Sequence, residues 1–181
     1  MNKDVKKVLF SEEDIHQMSV NMGKQITEDY KNLVSDENPL MVIGLLKGCV
    51  PFLSELIKRI DLPLTFHFMQ AKSYVGSKAG TLNITMDLKD DVKGKHLLIV
   101  EDIVDTGHTL SVVKDLLEQR GAASVKVATM LDKVDGRVVP FEANYVGFDC
   151  PNEFIIGYGL DFDERYRELP FIGVLKEEVY K

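Results

Sequence analysis

Three short runs constrain the fold most, because they leave no polar face for water: Leu40-Met-Val-Ile-Gly-Leu-Leu46, His96-Leu-Leu-Ile-Val100 and Ser124-Val-Lys-Val-Ala-Thr-Met-Leu131. Such a strand has to be covered on both sides, which is the situation of a parallel sheet with helices on each face. The intervening segments supply the helices. Ser11-Glu-Glu-Asp14 reads as an N-cap with an acid at N3, and Ile15, Met18, Met22, Ile26, Tyr30 and Leu33 then recur at helical spacing until Asn38-Pro39 closes the segment. Pro51 suits a first helical turn, and Phe52, Leu53, Leu56, Ile57 and Ile60 form one apolar face. The spacing predicts a further helix over Thr109–Arg120, with Val112, Val113, Leu116 and Leu117 inward and Gly121 as its left-handed stop.

Strand candidates also fall at Leu64–Met69, Leu82–Met86, Tyr145–Phe148, Phe154–Tyr158 and Ile172–Leu175. Between the first two, Lys72-Ser-Tyr-Val-Gly-Ser-Lys-Ala-Gly80 reads as a long exposed loop that would serve as a lid. Strands alternating with helices define an α/β fold with a parallel sheet flanked by helices. The loop-rich stretch after Leu131 is a candidate for a small hood over the sheet edge. A length of 181 residues suits one domain with its own core, and no linker or repeat divides it.

Charge narrows the partners. Lys plus Arg is 22 and Asp plus Glu is 29, a net charge of −7, so a general electrostatic grip on nucleic acid or on an anionic membrane is not expected. The N-terminus lacks a signal peptide's apolar stretch, and no run approaches the ~18–20 apolar residues of a membrane span. Cys49 and Cys150 form no CxxC pair and suggest no disulfide scaffold, so a reducing cytoplasm is the expected location.

Ligands of open α/β sheets collect at the carboxyl ends of strands. The richest such end is Val100-Glu-Asp-Ile-Val-Asp-Thr-Gly-His-Thr109. Three carboxylates there, Glu101, Asp102 and Asp105, precede small and hydroxyl residues that open a helix. Backbone N–H groups and about half a positive charge at a helix start make a phosphate cradle. It is neither a Walker loop nor a dinucleotide fingerprint, since no GxxxxGKS or GxxxxGKT occurs and no GxGxxG follows a strand. Acids beside a phosphate site imply a ligand with phosphate at one end and hydroxyls, a metal or developing positive charge next to it. The four histidines show no zinc spacing, and no GxSxG elbow exists.

This stretch closely resembles the phosphoribosyl-diphosphate motif of the type I phosphoribosyltransferases, in the Glu-Asp-x-x-Asp-Thr-Gly form of the hypoxanthine-guanine branch. Leu45-Leu-Lys-Gly48 is similar to that family's pyrophosphate loop, Lys72-Ser-Tyr74 to its flexible loop, and Leu131-Asp-Lys133 and Phe154-Ile-Ile-Gly-Tyr-Gly-Leu-Asp161 with Arg167 to its base-binding segments. The resemblance implies a single phosphoribosyltransferase domain over 1–181, with a small hood near the purine site built from the N-terminal segment and the region after about 150. It also implies a purine salvage enzyme that moves a phosphoribosyl group from phosphoribosyl diphosphate to hypoxanthine or guanine, with Mg²⁺ as cofactor, in an assembly of two or four copies.

Roles follow from the same resemblance. Glu101 and Asp102 would hold the ribose hydroxyls directly or through Mg²⁺, and both can serve one sugar only if the strand has ended at this pair. Asp105 would be the general base, taking the N7 proton as N9 attacks. Asp105, Thr106, Gly107, His108 and Thr109 would seat the 5′-phosphate, with the side chain of His108 optional. Lys47, Gly48 and Arg167 would hold pyrophosphate, and the Leu46–Lys47 peptide is expected to be cis. Lys133 would donate to the purine O6, an acceptor that adenine lacks. Phe154 would stack on the base, Ile155 would contact it through its backbone, and Asp161 would line the purine site and reach a second metal ion. Cys49 is expected to be a buried filler, since no basic partner can be identified for it.

Three other readings compete. A regulatory protein that senses these ligands while binding nucleic acid is disfavoured by the negative charge and by Asp105 and Lys133. A phospho-acceptor receiver domain would carry acids from its first strand. An adenine-specific relative would lack the carboxylate at Asp105.

Overall fold

The computed structural model describes residues 3–73 and 82–181. In chain order the elements are β1 (Val5–Phe10), α1 (Glu12–Tyr30), β2 (Leu40–Leu45), α2 (Cys49–Leu56), β3 (Leu64–Ser73), β4 (Leu82–Met86) and β5 (His96–Val104), followed by α3 (His108–Gln119), β6 (Ser124–Asp132), β7 (Tyr145–Asp149), β8 (Ile155–Ile156), β9 (Ile172–Leu175) and α4 (Glu177–Tyr180). Six strands form one sheet in the order β4-β3-β2-β5-β6-β7. All neighbours pair in parallel except β4, which runs antiparallel to β3 at the edge.

The apolar runs sit where they must. Residues alternate across a strand, so Leu98 and Val100 enter one core with Val42 and the inner faces of α1 and α2, including Ile15, Ile26, Phe52 and Leu56. Leu97 and Ile99 enter the opposite core with Met41, Ile43 and the Leu110, Val113 and Leu117 stripe of α3. Each such side chain contributes about 1.5–3 kcal/mol by leaving water, which is why β2 and the Leu97–Val100 stretch of β5 carry no polar side chain.

The chain moves outward from β2 to β3 on one side and from β5 to β6 on the other. The two crossover helices α2 and α3 pack on opposite faces, so the connections leaving β2 and β5 diverge at their carboxyl ends. That is the topological switch point where open sheets bind ligands.

A second, three-stranded sheet joins the two ends of the chain in the order β1-β9-β8, with β1 and β8 both antiparallel to β9. Its small core of Val5, Ile156, Tyr166 and Leu175 lies apart from the main two. Among the described residues no helix is long and apolar enough to cross a membrane.

Several expectations need correction. The first strand was missed, because Lys6 and Lys7 mask an edge strand of which Val5 is buried. Helix α1 begins at the predicted capping box, in which Asp14 N–H donates to Ser11 Oγ at 3.2 Å and Ser11 N–H to the Asp14 carboxylate at 2.8 Å. It ends at Tyr30, well before Asn38-Pro39, because Leu33 is 48% exposed and Ser35 and Asn38 exchange backbone bonds in a separate turn. Strand β3 is longer than predicted, and the backbone of Lys72 and Ser73 pairs with Asn83 and Leu82. The expected lid therefore starts no earlier than Tyr74, and residues 74–81, Tyr74 included, lie outside the described residues. Strand β8 is reduced to Ile155–Ile156, because Gly157 turns away at a left-handed φ of 96°.

Candidate active site

Strand β5 does not end at the acid pair but runs on to Val104, paired with β6 as far as Asp132. Glu101 and Asp102 therefore lie within the strand, which corrects the expectation that it ends at this pair, and a hydrogen bond still joins their side chains. Glu101 lines a cavity of about 240 Å³ together with Leu46, Asp105, Thr106, Gly107 and Thr109. Asp102 lines a neighbouring cavity of about 250 Å³ with Lys133, Phe154, Ile155 and Asp161. The two cavities share Ile103 and Asp105. Asp105 is thus exposed at the junction of a compartment walled by the helix start and one walled by the aromatic and the lysine.

The acids are electrostatically coupled all the same. Burial and then repulsion from Asp102 raise the Glu101 carboxyl well above the usual range. Burial also raises Asp102, opposed by a hydrogen bond from Glu101 and by the charge of Arg167. The two carboxyls thus resist being ionised together, as closely placed acids do.

The helix start carries the expected features. Gly107 is the N-cap of the twelve-residue α3 at φ 78° and contributes no side-chain cap of its own. A Cβ on Gly107 would lie 2.9 Å from that of Phe141, so only glycine combines this φ with this backing. His108 N–H donates to Thr106 Oγ1 at 3.4 Å, and the His108 side chain lines neither cavity.

The Leu46–Lys47 peptide is cis, and Gly48 follows it beneath Asp102. A Cβ on Gly48 would lie 1.8 Å from Asp102 Oδ2, and one on Gly159, at φ 104°, would lie 2.0 Å from the Gly48 carbonyl. Two glycines are therefore required for this loop to reach the acids. Lys47 projects outward and donates to Glu164 Oε2 at 2.7 Å. Arg167 donates to the Gly159 carbonyl at 2.6 Å and pairs with Asp161 Oδ1 at 2.9 Å and Glu164 Oε1 at 3.4 Å. The other Asp161 oxygen accepts the Glu164 amide at 2.9 Å. Both cations meet at Glu164, and Asp161 is held by Arg167 and by the Glu164 amide.

Phe154 is 37% exposed, stacks on Tyr180 at 4.7 Å, meets Phe162 in a T-shaped contact at 5.6 Å, and lines the cavity with Asp102. Cys49 is fully buried, and burial pushes its thiol up, as a filler's should be. Residues that the sequence reading passed over complete the site: Glu164 between the cations, Tyr180 behind Phe154, and Gly136 and Arg137 behind Asp105. Their signal was faint, since Val134–Ala143 reads as an irregular loop.

The comparisons agree with this geometry. A family model described as phosphoribosyl transferase domain matches residues 13–163, and the chain belongs to the phosphoribosyltransferase family, in its hypoxanthine-guanine branch. It is 51% identical to the hypoxanthine-guanine phosphoribosyltransferase of Streptococcus pneumoniae, over 99% of this chain and 98% of that protein. The structure resembles the hypoxanthine phosphoribosyltransferase of Trypanosoma cruzi in complex with the product IMP, at a TM-score of 0.95 and 40% identity over 99% of both chains. It also resembles that of Staphylococcus aureus, at a TM-score of 0.92 and 45% identity over 98% of this chain and 95% of the other.

Gly136 yields a direct prediction. A Cβ there would lie 2.0 Å from Asp105 Oδ1 and touch nothing else more closely than 3.2 Å. Gly136→Ala should therefore leave the thermal midpoint nearly unchanged while pushing the Asp105 carboxylate aside. Misplacing a reacting group costs on the order of 10²-fold in rate. Unaltered turnover in a steady-state assay would show that the position of Asp105 is immaterial.

Proposed function

We propose that this chain transfers the 5-phosphoribosyl group of phosphoribosyl diphosphate to N9 of hypoxanthine or guanine, giving IMP or GMP and releasing pyrophosphate. The observation that carries this reading is the pair of cavities meeting at Asp105, one bounded by an uncapped helix start and the other by Lys133 and Phe154. A ligand with a phosphate at one end, a sugar in the middle and a base at the other matches that sequence of environments. The whole chain would act as one domain, with the small sheet as a hood beside the base.

The residues then divide the work. Thr106, Gly107 and Thr109, with the backbone from Asp105 to His108, would seat the 5′-phosphate on N–H groups and hydroxyls. Asp102 and Glu101 would face the ribose hydroxyls and favour positive charge at C1′. Lys47, Gly48 and Arg167 would bind the diphosphate, whose Coulomb attraction would draw both cations away from Glu164. As N9 attacks, the C1′–oxygen bond breaks with its electron pair going to the diphosphate, and Asp105 takes the proton from N7. General-base assistance of this kind contributes roughly 10²–10⁴-fold. Lys133 would donate to O6, with Phe154 and Ile155 flanking the ring. A cation of oxocarbenium type must be shielded from water, and the stretch that Lys72, Ser73 and Tyr74 lead into is the one placed in sequence to contribute a cover.

Mg²⁺ fits the donor set. Glu101 and Asp102 are neighbouring carboxyls whose ionised forms burial disfavours, Glu101 also by the charge of Asp102, and an oxygen-seeking divalent cation would relieve both effects. Among the described residues no group of three or more His, Cys, Asp or Glu surrounds one point, so the chain would offer one or two carboxylates and the substrate and water the rest. When bound, the ion supplies charge neutralisation on the diphosphate and ribose oxygens. A cytoplasmic enzyme assembled from two or four copies is the setting this reading expects.

The test is an assay with phosphoribosyl diphosphate, Mg²⁺ and each of hypoxanthine, guanine, xanthine and adenine. Hypoxanthine and guanine should turn over, and adenine should be rejected. Turnover of adenine alone, or of no base, would overturn the reading. Asp105→Asn should leave binding of phosphoribosyl diphosphate within about twofold while slowing transfer by ~10²–10⁴-fold; unchanged turnover would remove the base assignment. Lys133→Ala should reduce kcat/KM for 6-oxopurines by roughly 10–10³-fold, the effect of leaving a buried acceptor unpaired. Equal losses of stability and activity would make Lys133 structural instead.

A further inference from the structure

We propose that Arg137 is a positioning residue for the phosphate cradle: with the amides of Val138 and Val139, it clamps the backbone carbonyls of Val104, Asp105 and Thr106 from behind and so aims the next N–H groups at the ligand. The inference rests on the function proposed above. It concerns a side chain that touches no substrate in that reading.

The Arg137 side chain is only 15% exposed and pairs with the carboxylate of Asp132, itself 14% exposed. Its Nη1 donates to the Asp105 carbonyl at 2.6 Å and to the Val104 carbonyl at 2.8 Å, with a longer contact to the Lys133 carbonyl at 3.4 Å. Its Nε donates to the Phe141 carbonyl at 2.9 Å. The charge is therefore answered by Asp132, and further N–H groups are spent on main-chain oxygens.

The Thr106 carbonyl is held from the same segment, by Val138 N–H at 3.0 Å and Val139 N–H at 3.3 Å. In a planar trans peptide the C=O of one residue and the N–H of the next point in opposite directions. Fixing the Asp105 carbonyl on the Arg137 side fixes the Thr106 N–H on the other, and fixing the Thr106 carbonyl does the same for Gly107 N–H. Thr106 and Gly107 both line the cavity assigned to the 5′-phosphate. Donors held in place before the ligand arrives need no reorganisation when it binds, which is the source of most electrostatic preorganisation.

A guanidinium suits this work because its planar fork serves several acceptors at once. A lysine ammonium could keep the Asp132 pair but could not span Val104, Asp105 and Phe141 together. A purely structural staple between β5 and β6 would predict something different, namely loss of stability with no preference among ligands.

The test uses the full-length protein with Arg137→Lys and Arg137→Met. The KM for phosphoribosyl diphosphate should rise about tenfold or more, the scale of losing well-placed charge-assisted bonds. The KM for hypoxanthine should stay within about twofold, and lysine should recover only part of the loss. A readout on the unmodified protein covers the case in which neither variant folds. The backbone amide resonances of Thr106 and Gly107 should shift strongly on titration with GMP and little with guanosine, which differs only in lacking the phosphate. The inference is overturned if both KM values rise together, if only the melting temperature falls, or if the two amides ignore GMP. Failure of the unmodified protein to turn over phosphoribosyl diphosphate with any base would instead overturn the proposed function.

Discussion

Strand β2 and the Leu97–Val100 stretch of β5 are covered on both faces by apolar side chains, so polar chemistry begins only beyond those stretches. Because the chain leaves β2 in one direction and β5 in the other, those two ends open onto the same gap. Lys47 and Gly48 come from one, and the stretch from Glu101 to Thr109 from the other. The cost of burying a polar group unpaired, several kcal/mol in an apolar core, keeps the site at this edge and nowhere deeper. The uncapped start of α3 follows from the same economy of connection, since β5 feeds it through only Asp105, Thr106 and Gly107.

The charges around the gap are sorted rather than mixed. Glu101 and Asp102 sit together in β5, Lys47 and Arg167 meet at Glu164, and the start of α3 walls the neighbouring cavity. On the proposed function, a ligand with anionic ends and a centre that becomes cationic would meet an opposite partner at each position. The two cations are paired with Asp161 and Glu164, partners that such a ligand can displace. Surface pairs such as Lys47–Glu164 are worth about 0–1 kcal/mol, little enough to be exchanged readily.

Much of this was legible in the sequence, for reasons specific to each segment. Fully apolar runs announced β2, β5 and β6, and Ser11 with Asp14 announced the start of α1. The Glu-Asp-x-x-Asp-Thr-Gly stretch carried its chemistry in contiguous residues, so no fold was needed to assemble it. What escaped was set by contacts distant along the chain. Strand β1 exists because β9, more than 160 residues later, pairs with it. Strand β5 outran the apolar run because β6 goes on pairing past Glu101, an effect that neither strand shows alone. Gly136 and Arg137 matter through what the Asp105 carboxylate and the Asp105 carbonyl require in space. Nothing in the composition of Val134–Ala143 distinguishes that stretch from an ordinary loop.

The central claim is that one nucleotide spans both cavities, with its sugar passing Asp105. The most direct measurement is a crystal structure of the protein grown with GMP. The account predicts phosphate density against the amides of Thr106 and Gly107 and the guanine O6 within hydrogen-bonding distance of Lys133 Nζ. A phosphate bound at Lys47 and Arg167 with the base outside the Phe154 cavity, or a nucleotide seated elsewhere on the protein, would contradict it.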